Sequence, residues 1–243
     1  MTTAQAFRTI FFMGMSLWTA GGMHIELATP AHAKKITALR TPAPTQSLIL
    51  ADIDSQLNVN TYRDADPVTW GHESCHGIAS RIRGIEKQGR NGFYCLAGNY
   101  ISLAEPAFTL SRLADIIPQE YRGVIYELYL IDQQRYWNLQ PSYILDEGFA
   151  YCHGTLVGLE LEVEAVRVEA SFVRSLEACT YAMFLANAAP TFDLKLALGV
   201  LMARNVAIYQ AIEGSPFCTA GVVEAFEKFQ GAANERSSDV SFN

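Results

Sequence analysis

Residues 72–76 read His-Glu-Ser-Cys-His (HESCH) and lie in a stretch with helical periodicity. The dipeptide Asp66-Pro67 just before it is a helix-start signal. Apolar residues then recur at helical intervals: Cys75, Ile78, Ala79, Ile82 and Ile85. On an α-helix, positions i and i+4 lie one above the other on one face. The segment therefore predicts a helix that presents the imidazoles of His72 and His76 side by side, at the border of its apolar stripe.

Two imidazoles at this spacing can bind one metal ion, and Zn²⁺ is the ion that the pattern indicates. Glu73 is rotated by about 100° from His72, too far to be a natural third ligand. It is near enough to accept a proton from a water molecule that the metal activates. In a chain with 5 histidines, the pattern HExxH is expected by chance only about 0.007 times. The spacing therefore predicts a zinc site with Glu73 as general base.

A zinc site of this kind needs a third protein ligand. The extended motif with a further histidine is missing, because Ala79 and Ile82 occupy the positions that would carry glycine and histidine. A glutamate from a later helix is the other common solution, and Glu147 is the best candidate. Asp146 is an alternative ligand, and so is a residue elsewhere in the chain. If Glu147 binds the metal, we expect Asp146 to orient one of the ligands.

HExxH followed at a distance by Asp146-Glu147-Gly148-Phe149-Ala150-Tyr151 resembles the gluzincins. These are zinc metallopeptidases of the zincin-like fold with a glutamate as third ligand. The resemblance implies that His72, His76 and Glu147 hold the zinc. It also implies that Glu73 is the general base.

The resemblance covers two segments, about residues 66–86 and 142–155, and not the whole chain. The thermolysin-like version has Asn before the third-ligand glutamate and Ser-Asp after it, whereas Asp146 stands before Glu147 here. The Gly-x-Met-Glu-Asn motif of the aminopeptidase-like version is missing from the sequence. The sequence therefore gives no support for an aminopeptidase.

The N-terminus has the order of a secretory signal peptide. Arg8 precedes a short apolar run at residues 9–23, and the small-residue site Ala31-His32-Ala33 is followed by Lys34. An uncleaved membrane anchor and a buried first helix are the alternatives. A cleaved signal predicts a secreted or periplasmic protein without stable membrane insertion, in which disulfides are permitted.

The composition of the chain argues against other classes of protein. The chain has 18 Lys and Arg against 25 Asp and Glu, a net charge of −7, so it lacks the basic excess that nucleic-acid binding needs. Half of its residues are hydrophobic, which is enough to bury a core. Its uninterrupted apolar runs are too short for a polytopic membrane protein.

The pattern along the chain predicts a mainly α fold with a small β element, an α+β arrangement. Residues 48–60 are expected to form a strand and 87–92 a loop, and the strand-like segment 93–103 turns at Gly98-Asn99. We expect helices at about these positions: 107–116, 119–137, 142–162, 164–187, 192–213 and 219–231. The expected division of the chain is as follows: signal peptide 1–33, linker or arm 34–48, zincin-like catalytic domain 49–232 and flexible tail 233–243.

Other polar residues have weaker claims to a role. An oxyanion donor is expected near the zinc, and the candidates are Tyr151, His153, Tyr62, Tyr121 and Tyr126. Tyr151 shares the helical face of Glu147, whereas His153 points elsewhere on an ideal helix. Plain burial is the favoured interpretation of Cys75 and Cys152, with a disulfide as the alternative. The acidic run at 160–164 is interpreted as a solvated helix face.

Two functions follow from these patterns. The first is a secreted or periplasmic zinc-dependent metallohydrolase, an endopeptidase acting on a peptide or protein substrate with Glu73 as general base. The alternative is an exported helical binding or interaction protein with a structural or catalytically silent zinc site. A structural zinc would be closed by a fourth protein ligand such as Cys75 or His153. An open fourth position favours the enzyme.

Overall fold

The computed structural model describes residues 47–56, 62–86 and 89–238. The predicted signal peptide and nearly all of the predicted linker lie outside these ranges. The elements in chain order are α1 (Leu48–Gln56), α2 (Pro67–Glu86), β1 (Arg90–Tyr94), β2 (Tyr100–Ala104), α3 (Leu110–Ile116), a 3₁₀ turn (Gln119–Tyr121), a π-helix (Tyr126–Asp132), α4 (Gln134–Trp137), α5 (Tyr143–Glu160), α6 (Ala165–Ala188), α7 (Phe192–Ile212) and α8 (Ala220–Ser238). The prediction of a mainly α fold with a small β element is confirmed.

Helix α2 carries the HESCH segment, as its periodicity predicted. The carboxylate of Asp66 accepts hydrogen bonds from the backbone N–H groups of Val68 (3.3 Å) and Thr69 (3.4 Å), so it caps the first turn. The stripe from Cys75 to Ile82 is buried. Ile85 is 64% exposed because the last turn of α2 extends beyond the core.

The expected hairpin is present, with β1 and β2 antiparallel and Arg90 opposite Ala104. The turn closes with a bond of 2.7 Å from Cys95 N to Asn99 O. The prediction of a loop at 87–92 is wrong from Arg90 onward, since β1 begins there. The polar side chains of β1 are satisfied by tertiary partners: Arg90 donates to Ser102 Oγ at 2.9 Å, and Asn91 donates to Ser142 Oγ at 2.8 Å.

The prediction of a strand at 48–60 is wrong for Leu48–Gln56, which form α1; residues 57–60 lie outside the described ranges. A distant carboxylate stabilises this helix. Glu160 Oε2 accepts hydrogen bonds from Ile49 N at 3.1 Å and from Ser47 Oγ at 2.7 Å. Glu160 therefore satisfies the free N-terminus of α1. It does not belong to a purely solvated acidic face.

The single helix expected at 119–137 is divided into a 3₁₀ turn, a π-helix and the short α4. The carboxylate of Glu177 on α6 accepts hydrogen bonds from Tyr126 N at 3.0 Å and from Tyr181 OH at 2.5 Å. Tyr181 OH in turn accepts a bond from Gly123 N at 3.2 Å. These bonds from another helix replace regular helical pairing at the start of the segment.

Helix α5 is the centre of the molecule and is buried from Ile144 through Leu159. It packs against α2 and α6. Glycines allow α2 and α5 to approach closely: a Cβ at Gly154 would lie 2.9 Å from the carbonyl oxygen of Val68, and a Cβ at Gly71 would lie 3.0 Å from Val157 Cγ2. This contact brings the histidine face of α2 against the start of α5.

The last helix, α8, continues to Ser238, through the first part of the segment expected as a tail. Among the described residues, no helix is long and apolar enough to cross a membrane.

Candidate metal centre

Three side chains from two helices converge where α2 meets α5. Nε2 of His72 and Nε2 of His76 are 3.1 Å apart. Glu147 faces both, with Oε2 at 3.7 Å from His72 Nε2 and Oε1 at 3.5 Å from His76 Nε2. The three residues form a group that could hold a metal ion. The structure thus brings together the histidine pair and the glutamate that the sequence selected.

The spacing of these atoms fits a tetrahedral ion. Zinc bonds of about 2.0–2.2 Å at tetrahedral angles separate neighbouring ligand atoms by roughly 3.3 Å. The observed separations of 3.1, 3.5 and 3.7 Å bracket that value. Glu147 Oε2 is buried and has no hydrogen-bond partner among the described residues. A buried carboxylate oxygen without a donor is costly unless a cation satisfies it, so the donor set fits a divalent metal.

Asp146 contacts the far side of His76. Its Oδ2 lies 2.9 Å from Nδ1 of the imidazole. Because an ionised carboxylate can only accept, Nδ1–H donates this bond. The other ring nitrogen, Nε2, is therefore turned toward His72 and Glu147. This is the orienting role that the sequence analysis assigned to Asp146 if Glu147 is the ligand.

The charges of the group are unequal. Burial, together with the neighbouring His76, lowers the pKa of His72 to about 3. Burial alone would lower the pKa of His76 too, but the carboxylates of Asp146 and Glu147 raise it well above its ordinary value. Burial raises the pKa of Glu147, and the stronger combined effect of the two histidines and Tyr143 lowers it. The group therefore contains a carboxylate and a neutral imidazole, which are metal-binding forms, and a protonated His76, which would release a proton when it binds a metal.

Glu73 lies beside the group rather than within it. Its Oε1 is 4.0 Å from His72 Nε2, and its side chain is 44% exposed, against 1% for Glu147. The Glu73 carboxylate is therefore open to water, whereas that of Glu147 is not. The structure thus separates a buried carboxylate from an accessible one at the same centre.

Aromatic side chains surround the centre, and the sequence pointed to only one of them, Tyr151. Tyr151 packs its ring at 4.2 Å from the ring of His72. Its hydroxyl is 3.3 Å from that of Tyr129, which comes from the π-helix. Tyr143 is stacked on Trp137 at 4.0 Å and lies 6.3 Å from His76. Burial and the charge of Glu147 raise the pKa of both Tyr129 and Tyr143.

Tyr129 and Tyr143 were missed for different reasons. Tyr143 lies one helical turn before Glu147, so the i, i+4 rule could have found it. Nothing in the sequence near Tyr129 links it to α5, because the π-helix and its packing bring it there. Arg174 on α6 was missed as well; its guanidinium carbon is 5.6 Å from the centre of the Tyr151 ring.

The remaining candidates have other hydrogen-bond or ring partners, although Tyr62 is near enough to Glu73 for its charge to add to the effect of Asp64 in raising the pKa of Tyr62. Tyr126 donates to Ala114 O at 3.2 Å, Tyr121 packs on Phe184, and Tyr62 donates to Asp64 at 2.9 Å. His153 points away from the metal group, as its helical position predicted.

His153 is part of a second buried cluster. Its Nδ1 is 2.8 Å from Cys75 Sγ and its Nε2 is 3.0 Å from Arg204. Burial and then the charge of Arg204 lower the pKa of His153 well below its ordinary value. All five cysteines are free, and Cys75 and Cys152 are buried. The expectation of plain burial for these two thiols therefore agrees with the structure, and the alternative of a disulfide does not.

No family model, curated protein or solved structure matches this chain.

Proposed function

We propose that this protein is an exported zinc metallohydrolase of the gluzincin type, with a zincin-like fold, that hydrolyses internal peptide bonds. The observation that carries this proposal is the pairing of one accessible carboxylate, Glu73, with a buried group of two imidazoles and a carboxylate. His72, His76 and Glu147 would hold the ion. Zinc supplies a Lewis acid that lowers the pKa of water to about 7 and polarises a carbonyl oxygen.

Three residues of the chain would have the remaining roles in hydrolysis. With the ion bound, Asp146 would accept a hydrogen bond from Nδ1–H of His76 and so leave Nε2 as the ligand atom. The Glu73 carboxylate accepts a proton from the attacking water and then delivers it to the nitrogen of the leaving amine. Tyr151, whose ring lies against His72, would supply a hydroxyl donor for the developing oxyanion.

The surroundings of Cys75 and His153 support an enzyme over a structural zinc site. These two residues were the candidates for a fourth protein ligand that would close the site. Instead Sγ of Cys75 is 2.8 Å from Nδ1 of His153. His153 is also bonded to Arg204, so both side chains are committed to another cluster. Neither belongs to the three-residue group, so in this proposal the fourth position would be open to water and substrate.

Two substitutions test the proposal. Wild type should bind about one zinc per chain, and Glu147→Gln should weaken zinc binding strongly because it removes the buried anionic donor. Glu73→Gln should bind zinc like wild type but hydrolyse an unstructured protein roughly 10²–10⁴-fold more slowly. The exposed Glu120→Gln is the matched control and should change neither property.

Zinc binding and hydrolysis, measured separately, show whether the ligand set or the enzymatic activity is wrongly assigned. Loss of zinc in Glu73→Gln would show that Glu73 is a ligand, and full zinc retention by Glu147→Gln at limiting metal would remove Glu147 from the ligand set. Zinc-loaded wild type that cleaves nothing in a diverse peptide library would favour the binding protein. Export is tested separately by mass spectrometry of the natively expressed chain, which should begin at or near Lys34. A chain beginning at Met1 or Thr2 would contradict it.

A further inference from the structure

Arg174 on α6 is a cation whose charge reaches the candidate metal centre. Its guanidinium carbon lies 5.6 Å from the centre of the Tyr151 ring, and the same ring lies 4.2 Å from the ring of His72. The positive charge of Arg174 lowers the pKa of both His72 and Tyr151, although burial is the largest influence on each. Arg174 is therefore electrostatically coupled to the site.

No carboxylate among the described residues forms an ion pair with Arg174. Among the residues that the structure describes, Arg174 makes no hydrogen bond or ion pair, and its one ring contact is with Tyr151. The carboxylate one turn further along α6, Glu177, accepts bonds from Tyr126 N and Tyr181 OH instead. Two other half-buried arginines have polar partners: Arg90 pairs with Asp193, and Arg204 donates to Cys95 O.

The guanidinium is also accessible. Arg174 is half-buried, and none of its nitrogens is buried without a partner. Its distance of 5.6 Å from the centre of the Tyr151 ring is within the range of a cation–π contact, which leaves its N–H groups to an incoming anion. The guanidinium group is planar, and its paired N–H donors suit bidentate binding of a carboxylate.

The distance from Arg174 to His72 indicates which part of a bound peptide Arg174 could reach. The two ring distances place the guanidinium within roughly 10 Å of His72, a length that about three residues of extended peptide span. We propose that Arg174 binds a carboxylate of the substrate, one to three residues from the scissile bond, and so selects peptides that are acidic at that position. This inference rests on the proposed hydrolase function. The carboxylate can be the C-terminus of a short peptide or the side chain of Asp or Glu.

The test uses the full zinc-loaded chain and three peptide hydroxamates, because a hydroxamate binds zinc directly. The first ends in a free carboxylate, the second in a carboxamide, and the third in a carboxamide with an aspartate side chain. Each is made with one, two or three residues after the hydroxamate. Dissociation constants are measured by calorimetry for wild type, R174Q and R174K. R112Q is the matched control, since Arg112 also stacks on an aromatic ring, that of Phe108 at 4.7 Å.

At one spacer length, wild type should bind a carboxylate compound about tenfold more tightly than the carboxamide. R174Q should lose this preference with unchanged zinc content and carboxamide affinity, and R174K should keep part of it because only the planar fork is lost. R112Q should behave as wild type. The spacer and the preferred compound then identify whether a C-terminus or an acidic side chain is bound.

Two results would overturn the inference alone: zinc-loaded wild type that binds the carboxamide but shows no carboxylate preference at any length, or a preference that persists in R174Q. If R174Q fails to fold, R174K decides. A carboxylate preference that R174K keeps in full counts against binding by the Arg174 guanidinium, and a reduced preference supports it. Wild type that binds neither zinc nor the carboxamide compound would overturn the proposed function, and this inference with it.

Discussion

The close contact between α2 and α5 can be tested at Gly154. In Gly154→Ala, the new Cβ would lie 2.9 Å from the backbone oxygen of Val68 and 3.2 Å from Ser171 Oγ. The first distance is about 0.5 Å short of ordinary van der Waals contact. The obstacle is backbone, which cannot rotate away as a side chain can. The two helices must therefore separate at Val68, one turn before His72.

The size of the effect follows from two opposing terms. Alanine is favoured over glycine inside a helix by about 0.5–1 kcal/mol. Overpacking of a tight contact costs about 1–3 kcal/mol. Gly84→Ala on α2 is the matched control, because its Cβ meets nothing within 4 Å and gains only the helix term. Gly154→Ala should therefore be about 1–3 kcal/mol less stable than Gly84→Ala.

Zinc affinity provides the second readout. A shift of about 0.5 Å exceeds the tolerance of roughly 0.2 Å on metal–ligand distances. Gly154→Ala should therefore bind zinc roughly tenfold more weakly, the lower end for loss of a supporting contact, and Gly84→Ala should bind it like wild type. Stability is measured by urea unfolding of the metal-free chains and affinity by competition with a chelator. If the two alanine variants match each other in both measurements, the glycine contact does not set the position of the ligands.

Two further predictions concern neighbours of the centre. Asp146→Asn keeps the shape of the contact with His76 Nδ1 but removes its charge, so zinc affinity should fall roughly 10–100-fold; an unchanged affinity in a chelator competition would contradict the orienting role. His153 is buried neutral with a lowered pKa, so the unfolded chain binds more protons below about pH 6.5 and stability falls as the pH falls. Between pH 6.5 and 5.5, wild type should lose about 1 kcal/mol more unfolding free energy than His153→Gln, and parallel pH profiles would refute this.

The helices could be predicted where their own periodicity specifies them. The apolar stripe and the Asp66 cap define α2, and the largely apolar sequence of residues 143–160 defines α5. The predictions failed where a distant group supplies the missing hydrogen bond. Glu160 stabilises the N-terminus of α1, and Glu177 interrupts the segment after Gly123. Neither partner is near its target in the sequence, so no local pattern could reveal it.

By itself, the sequence determined that His72 and His76 share one face, because the geometry of a single helix fixes residues four apart. It also determined that Glu73 is offset from that face. Only the tertiary structure decided that Glu147 faces both histidines while Asp146 binds the opposite side of His76. Only packing between helices brought Tyr129 and Arg174 to Tyr151. The physical reason is that local periodicity specifies directions within one helix, whereas contacts between helices depend on side-chain volumes at the interface, such as the missing Cβ of Gly154.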